Sequence, residues 1–224
     1  MIEIVSATRL SEADFWTRSA LGNSLRRLGH DRRLVTRVAF DNRRGLAEVY
    51  NARLLAADSA ECLVFVHDDV WLDDAFLADR ILDGLQRFDV IGVAGNRRRL
   101  AGQTAWAFID DRFTWDQRAN LSGCVGHGKQ PFGPLSWFGP SPAECELLDG
   151  VLLAARKPAL AAASVRFDPR FDFHFYDVDF CRSARAAGLR LGTWPIAITH
   201  ESGGAFGTAQ WNAKRREYLE KWRD

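Results

Sequence analysis

Three groups of polar side chains in this sequence could do chemistry. His67, Asp68 and Asp69 are consecutive, and neighbouring carboxylates on a tight loop can hold a hard divalent cation that also binds phosphate oxygens. Asp177 and its neighbours at 176–179 are predicted to open a helix, where one acid can cap the helix and another can act as a general base. His200 follows a predicted strand, and its neutral imidazole could complete a metal site with an aspartate.

Each group also has an ordinary structural interpretation. The acidic loop could be an exposed strand end, with Asp73 and Asp74 capping the next helix. Asp177 and Asp179 could cap their own helix and do nothing else, and His200 could be a polar residue with an ordinary hydrogen-bond partner. The residues alone leave both interpretations open for each group. A purely structural explanation, however, would have to be correct for all three groups at once.

The elements that position these groups follow from hydrophobic periodicity. The pattern predicts strands at 2–7, 34–40, 62–66 and 90–94, and helices at 12–28, 45–57 and 74–88. The unbroken apolar run at 62–66 is typical of a strand covered on both faces. Ligands of open α/β sheets bind beyond the carboxyl ends of the strands, where the acidic loop would lie. Alternating strands and helices therefore predict a three-layer α/β domain.

Regular periodicity is absent from residues 97–142, which are rich in Gly, Pro and aromatic residues such as Trp106, Trp115 and Trp137. A loop-rich region of this length is usually functional or disordered, and its aromatic content favours function. Beyond it the pattern predicts strands at 147–155, 189–194 and 196–199 and helices at 158–164, from about 177 to 188, and at 210–222.

Composition narrows the classes of protein. The 224 residues are 47% hydrophobic and 26% charged, as in globular proteins, and the net charge of +1 argues against nucleic acid as a partner. The N-terminus has no basic signal-peptide region, and no apolar run is long enough for a membrane span. Four separated cysteines without a CxxC motif predict reduced thiols. We expect a cytoplasmic protein, peripheral at the inner face of the membrane at most.

The order of five segments resembles glycosyltransferase family 2, the inverting GT-A-fold enzymes that use nucleotide-sugar donors. The similar segments cover most of the chain and are the N-x-x-G-L-A segment 42–47 with Asn51, the DXD-like strand and loop 64–70, the D-G segment 149–156, the F-D to D-V-D-x-C-R block 171–182 with 187–188, and the closing 198–200. The resemblance implies an α/β, Rossmann-like GT-A three-layer sandwich with a mixed, mostly parallel central sheet.

The resemblance also implies roles for individual residues. Asp69 and His200 would hold Mn²⁺ or Mg²⁺ against the donor diphosphate, and Asp68 would lie near the ribose or the metal. Asp177 matches the catalytic base that deprotonates the acceptor hydroxyl in a single inverting displacement. The predicted nucleotide contacts are Ser6, Thr8, Arg9, Asn42 and Asn51, and the predicted acceptor contacts are Asp149, Gly150, Trp106, Trp137 and Asp179.

Partners and domain limits follow from the same resemblance. The donor would be a nucleotide sugar, most commonly a UDP-sugar, and the acceptor a glycan or glycolipid of a bacterial surface polysaccharide. Residues 1–209 would form one catalytic domain, with 1–96 binding the nucleotide sugar and 97–209 the acceptor, followed by a basic helix at 210–224. That helix could touch a membrane surface or present a solvated or oligomer-forming face. A glycine-rich loop at 203–207 could close over the donor.

The sequence departs from the family pattern at three points. His67 replaces the first acid of the DXD motif, and Tyr176 stands where many members have Glu. Only about 35 residues separate the first strand from Asn42, fewer than two full strand–helix units need.

Rival activities follow from the departures. A non-catalytic carbohydrate- or nucleotide-binding protein of the same fold is the main alternative. A nucleotidyltransferase would open with a Gly-rich basic phosphate loop, which residues 6–9 do not form. A phosphohydrolase would need a second acidic or histidine cluster to clamp two metals.

Overall fold

Thirteen strands and seven α-helices make up the computed structural model, which describes residues 1–203 and 206–223. The strands are β1 Ile2–Ala7, β2 Leu34–Ala39, β3 Cys62–Val66, β4 Val70–Leu72, β5 Val90–Gly92, β6 Ala94–Asn96, β7 Leu121–His127, β8 Leu135–Gly139, β9 Ala143–Cys145, β10 Leu147–Leu148, β11 Leu152–Arg156, β12 Leu191–Thr193 and β13 Ile198–His200. The helices are α1 Glu12–Arg18, α2 Ala20–Arg27, α3 Leu46–Leu55, α4 Leu77–Arg87, α5 Lys157–Ala162, α6 Tyr176–Ala186 and α7 Ala209–Trp222.

The main sheet has seven strands in the order β2-β1-β3-β11-β5-β12-β9. Strands β1, β2, β3, β5 and β12 run in one direction, whereas β11 and β9 run against them. The expected mixed, mostly parallel sheet is therefore confirmed. Strand β11 lies antiparallel between β3 and β5, and this reversal matters for the site described below.

A second sheet joins elements from distant parts of the chain in the order β10-β6-β7-β13-β4, with β8 paired to β7. The predicted strand at 90–94 contributes to both sheets, because β5 belongs to the first and β6 to the second. The predicted strand at 147–155 is likewise divided into β10 and β11, with Asp149 and Gly150 in the turn between them.

The hydrophobic core is centred on β3, as its composition predicts. Leu63, Val64, Phe65 and Val66 are fully buried, and β1 and β11 pair with the two edges of the strand. Helix α3 contacts β1, and α4 and α5 contact β11. Helix α7 buries Trp211 and Tyr218 in the same core.

The predicted helix at 12–28 is broken at Ser19, which separates α1 from α2. Ser19 is extended (φ −81°, ψ 149°), and its hydroxyl donates to the Phe15 carbonyl at 2.7 Å and accepts from Gly22 N at 2.9 Å. One side chain thus closes the first helix and caps the second, which periodicity does not reveal.

Residues 97–142 contain the hairpin β7–β8, which the sequence analysis assigned to loops. Glycines lower the strand signal of this hairpin in the sequence, and the packing of the backbone requires those glycines. Gly123 has φ +94°, and a side chain at Gly126 would lie 2.6 Å from Thr199 Oγ1 on β13. Close packing therefore requires glycine at positions where a strand pattern would have larger side chains.

The four cysteines are free thiols. Within residues 1–203 and 206–223, no helix combines the length and apolarity needed to cross a bilayer.

Candidate active site

A cavity of about 1280 Å³ opens beyond the carboxyl ends of β1 and β3. It is the place where an α/β sheet is expected to bind ligands. Most of the predicted site residues line it: Thr8, Arg9, Asn42, Asp68, Asp69, Trp106, Asp149, Gly150, Asp177 and His200. Both ends of the chain therefore contribute to one site.

His67, Asp69 and His200 form a compact cluster in the cavity wall. One potential ligand atom of each lies within 4.8 Å of those of the others. His200 Nε2 is 3.3 Å from Asp69 Oδ1, and His67 Nδ1 is 4.0 Å from the same oxygen. Strand pairing creates this arrangement, because His200 on β13 is in register with Val70 on β4, directly after the acidic loop. His67 is the member that the sequence analysis did not assign to the metal.

The cluster suits a divalent cation. Asp69 Oδ1 is buried, and apart from its 3.3 Å contact with His200 Nε2 it has no hydrogen-bond partner among the described residues, so it can accept a cation. Burial opposes ionisation of Asp69, but the adjacent His200 outweighs it and lowers the pKa of Asp69 to about 2. Two imidazoles and a carboxylate are donors that Mn²⁺ and related metals accept.

A hydrogen-bond chain determines which nitrogen of His67 faces the cluster. The Tyr176 hydroxyl donates to the Gly150 carbonyl at 2.7 Å, which uses its one hydrogen. His67 Nε2, 2.7 Å from the same hydroxyl oxygen, must then carry a hydrogen and donate it. Burial lowers the pKa of His67, so the ring is neutral and Nδ1 keeps its lone pair on the side of Asp69. Tyr176 thus fixes the orientation of the His67 ring.

Asp177 lies in the first turn of α6 and lines the cavity. Its Oδ2 accepts a hydrogen bond from Gly150 N at 3.1 Å. Burial, together with the negative charge of Asp149, raises the pKa of Asp177 to about 6. A carboxylate with this pKa is ionised at neutral pH and is a much better proton acceptor than an ordinary aspartate.

The turn at Asp149 and Gly150 reaches the site because β11 is reversed. Leu152 pairs with Val66 at the carboxyl end of β3, so the residues before β11 lie next to His67. A side-chain carbon on Gly150 would lie 2.3 Å from Tyr176 Oη, so only glycine fits at this position.

Asp149 itself is held in place on both carboxylate oxygens. Its Oδ1 accepts from Val151 N at 2.9 Å and its Oδ2 accepts from Trp106 Nε1 at 2.8 Å. The indole of Trp106 is thereby fixed in the cavity wall. Trp106 of the irregular region and the turn at Asp149 and Gly150 therefore form one connected unit. Because this turn contacts Asp177, we call it the catalytic turn.

Aromatic rings form the wall on the side of residues 97–142. Trp115 stacks on Phe138 with an interplanar angle of 17°, and Trp106 meets Phe138 edge to face. Trp115 lines the cavity and remains 53% exposed, so part of its ring is open to a ligand. Phe108, Phe138, Phe206 and Trp211 also line the cavity and were not among the predicted site residues.

The opposite side of the cavity combines Thr8, Arg9 and Asp68 with the turn at Asn42. Burial raises the pKa of Asp68, and a hydrogen bond from Thr8 opposes that rise. The amide of Asn42 binds the backbone of Arg44 at 2.7 and 3.2 Å, which shapes the turn. Arg44 also lines the cavity and adds a cation that the sequence analysis missed.

Ser6 and Asn51 do not line the cavity, contrary to the expected nucleotide contacts. The Ser6 hydroxyl donates to the Val66 carbonyl at 2.8 Å, inside the sheet. The Asn51 amide binds both the carbonyl and the N–H of Phe167, at 2.7 and 3.1 Å. Both side chains therefore form hydrogen bonds with the backbone of the fold. These bonds account for a serine and an asparagine at the two positions.

Asp179 and Trp137, expected on the acceptor side, also lie outside the cavity. Asp179 is fully buried and accepts from Lys221 Nζ and Trp222 Nε1, each at 2.8 Å, so it fastens α7 to α6. Trp137 points away from the cavity, and the Arg118 guanidinium lies 5.4 Å from its ring centroid.

The loop predicted to act as a lid is described only in part. Ser202, Gly203 and Phe206 line the cavity. Gly204 and Ala205 lie outside the described residues. Ser202 Oγ is 3.1 Å from His200 Nε2, so the loop begins beside the cluster of His67, Asp69 and His200.

Residues 33–222 match the sequence model of a family described as a glycosyltransferase-like family. The chain belongs to this glycosyltransferase-like family. No curated protein matches the sequence. The glycosyltransferase fold extends over nearly the whole chain, as comparison with solved structures shows.

Two of the similar solved structures are enzymes of this type. The catalytic domain of Drosophila beta1,4galactosyltransferase 7, solved with xylobiose, superposes with a TM-score of 0.52 at 9% identity, over 96% of this chain and 79% of that one. GalNAc-T7, solved with UDP, GalNAc and Mn²⁺, gives a TM-score of 0.54 at 10% identity, over 98% of this chain and 47% of that one. The glycosyltransferase described here thus has the GT-A fold, spans about half of GalNAc-T7, and is a sugar transferase by family.

Proposed function

We propose that this glycosyltransferase moves a sugar from a nucleoside-diphosphate donor to an acceptor hydroxyl with inversion. The observation that carries the proposal is that one cavity holds both the His67, Asp69 and His200 cluster and the Asp177 carboxylate, whose pKa is raised to about 6. A binding protein needs no such base. The combination is what a metal-assisted displacement requires.

The reaction would be a single displacement. Asp177 accepts the proton of the acceptor hydroxyl while that oxygen bonds to the anomeric carbon of the donor. The bond from the anomeric carbon to the diphosphate oxygen breaks, and its electron pair leaves with the nucleoside diphosphate. The new bond forms opposite the leaving group, so the anomeric configuration inverts.

His67, Asp69 and His200 would hold Mn²⁺ or Mg²⁺, which neutralises the charge that develops on the leaving diphosphate. Thr8, Arg9 and Arg44 line the side where the nucleotide and its phosphates would bind. We assign a UDP-sugar as donor, since GalNAc-T7 was solved with UDP and Mn²⁺. The arginines supply the charge complementarity for a diphosphate.

The acceptor would bind against the aromatic wall. Trp115 offers an exposed flat face, and Trp106 is fixed by Asp149 at the catalytic turn. Sugar rings stack on such faces, so a glycan or the sugar of a glycolipid is the proposed acceptor, within the synthesis of bacterial surface polysaccharide.

We assign catalysis to residues 1–209, with the nucleotide sugar held mainly by 1–96 and the acceptor by 97–209. The free thiols suit a reducing compartment, so we place the protein in the cytoplasm.

The proposal is tested by incubating the protein with a panel of nucleotide sugars and Mn²⁺ and measuring released nucleoside diphosphate, with and without chelator. We expect release from one donor, abolished by chelator and by Asp69→Ala. Asp177→Asn should slow release about 100- to 10,000-fold, the usual contribution of a general base. Asp83→Asn on the exposed face of α4 is the matched control and should leave the rate unchanged.

Two results would count against the proposal. Release that is indifferent to chelator would remove the role of the cation. Donor binding by calorimetry without any release, in wild type and Asp177→Asn alike, would instead support a non-catalytic carbohydrate- or nucleotide-binding protein of the same fold.

A further inference from the structure

The β7–β8 hairpin exposes three large apolar side chains. Phe132 and Leu135 are each 72% exposed, and Trp137 is 53% exposed. We call these three residues the hairpin patch. Single exposed apolar side chains are ordinary, but three within six residues of one hairpin are a local concentration that burial in the core does not explain.

The patch lies on the outer face of an element that also forms the active site. Along β8, Ser136 and Phe138 line the cavity, whereas Leu135 and Trp137 point to the opposite face because side chains alternate along a strand. The patch therefore adjoins the cavity without being part of it.

The exposure of Phe132 is held by the fold. Its N–H donates to Asp73 Oδ2 at 3.1 Å, and the next N–H, of Gly133, donates to Thr199 Oγ1 at 3.0 Å. Phe132 also has φ +60°, a left-handed conformation that is unfavourable for a non-glycine residue. A well-fastened backbone in a costly conformation presents the ring to solvent.

Cations surround the patch. The Arg27 guanidinium lies 5.8 Å from the centroid of the Phe132 ring, and that of Arg118 lies 5.4 Å from Trp137. Lys129 is exposed at the hairpin turn. Among the described residues, neither Arg118 nor Lys129 forms an ion pair, so their charges are available to an anionic surface.

Helix α7, the expected membrane contact, has the opposite character. Its aromatic residues Trp211 and Tyr218 are buried. Several of its cations are already paired: Lys214 with Glu217, Arg215 with Asp111, and Lys221 with Asp179. Although the sequence of α7 is basic and aromatic, Trp211 and Tyr218 pack in the core and several of its cations are held in ion pairs.

We infer that the hairpin patch docks the protein on a bilayer that contains anionic lipids. Phe132, Leu135 and Trp137 enter the interfacial region of the bilayer, while Arg118 and Lys129 face the lipid phosphates. Arg27, which lies 3.8 Å from Asp73 Oδ1, stays beside the Phe132 ring. A second protein is a poorer occupant, because a stable protein interface takes about 20–30 residues from each side. The inference is independent of the proposed transferase activity, since it needs no substrate.

The test is co-sedimentation of the full-length protein with vesicles, without nucleotide or metal. One set is phosphatidylcholine alone, and the other is phosphatidylcholine with an equal amount of phosphatidylglycerol. We expect binding to the anionic set and weak or no binding to the neutral set. The triple variant Phe132→Ser, Leu135→Ser, Trp137→Ser should lower binding at least about tenfold, because the insertion of apolar area is lost. The double variant Arg118→Gln, Lys129→Gln should lower it about fivefold per cation.

Matched variants distinguish the patch from general surface properties. Leu55→Ser with Phe76→Ser removes equally exposed apolar residues elsewhere, which are 57% and 67% exposed. Arg216→Gln with Arg223→Gln removes two exposed cations, one in the middle of α7 and one at its C-terminal cap. Both double variants should bind vesicles like wild type, and circular dichroism should show that every variant is folded.

Several results would overturn the inference. They are failure of the wild type to bind anionic vesicles, equal loss in the Leu55 and Phe76 variant, and loss only in the α7 variant, which would return the contact to that helix. Sedimentation velocity that shows a dimer in wild type and a monomer in the triple variant would assign the patch to a second copy of the chain instead.

Discussion

Residues 1–96 and residues 97–203 build the same cavity by different means. The first part supplies its groups at the ends of regular strands, as with Thr8 after β1 and the loop at 67–69 after β3. The second part adds a turn at Asp149 and Gly150, where the backbone comes so close to the Tyr176 and Asp177 side chains that only glycine fits. The difference teaches that regular elements fix where a ligand binds, whereas the close packing of this turn against side chains fixes the geometry of the reacting groups.

If this distinction holds, changes of one methyl group should be most damaging in the second part. Gly150→Ala puts a carbon where Tyr176 Oη and the Asp177 side chain now lie, at 2.3 and 2.7 Å. We expect the rate of transfer to fall about 100-fold or more, because displacement of a catalytic group by about 1 Å has an effect of this size. The measurement is released nucleoside diphosphate at saturating donor.

The matched change in the first part is Gly29→Ala, where an added carbon meets nothing within 4 Å. It should leave the rate unchanged. Equal losses in both variants, with both folded, would show that the two parts do not differ in this way.

A second prediction concerns the link between the two parts. Tyr176→Phe removes the hydroxyl that joins the Gly150 carbonyl to His67 Nε2. Loss of such a partner of a metal ligand typically weakens metal binding about 10- to 100-fold. Titration of Mn²⁺ followed by electron paramagnetic resonance measures this directly, without substrate. Tyr218→Phe, whose hydroxyl accepts from Arg182 at 3.3 Å and lies outside the cavity, is the control. An unchanged Mn²⁺ affinity in Tyr176→Phe would show that the Tyr176 hydroxyl does not link the two parts functionally.

The third prediction is a pH dependence that belongs to the second part. Asp177 must be ionised to accept a proton, so with saturating Mn²⁺ the rate should fall about tenfold per pH unit below its pKa of about 6. The charge of Asp149 contributes to that raised pKa, so Asp149→Asn should move the acid limb to lower pH. A profile of rate against pH for both proteins checks this. An acid limb that stays in place would show that burial alone tunes Asp177.

The smallest expected effect is a stability change in the first part. Ser19→Ala removes the hydroxyl that caps α2 and should cost about 1 kcal/mol of unfolding free energy. The pH profile of the rate should not move, because this change does not touch the catalytic turn. Urea denaturation supplies the free energy, and Ser11→Ala, which removes the cap of α1, is the comparison. A shifted pH profile would connect the two parts more closely than their structures suggest.

Much of the first part could be predicted because its signals are local. Strands β1 and β3 are where their apolar runs place them, since buried strands need little but hydrophobic side chains. The break at Ser19 could not be predicted, because a serine within a helical pattern is common and only its two hydrogen bonds reveal its role.

The second part could be predicted in its chemistry but not in its shape. Asp177 and Asp149 were predicted as site residues, Asp149 only through the family resemblance, but the turn at Asp149 was expected to lie within a strand. Strand β7 was missed because Gly123 and Gly126 lower its strand signal. Asp179 is an acid of the kind found in active sites, but its carboxylate accepts hydrogen bonds from Lys221 and Trp222. Only the packing of α7 against α6 shows this role.

The position of β11 has a consequence for the order in which the protein can assemble. Strands β3 and β5 lie on either side of β11 and have no pairing with each other, although all residues up to Asn96 are synthesised before β11. A nascent chain that ends there carries two buried-type strands with unsatisfied edges and no central partner. We expect residues 1–96 expressed alone to aggregate, and the catalytic turn, which leads directly into β11, to take its place as the sheet is closed.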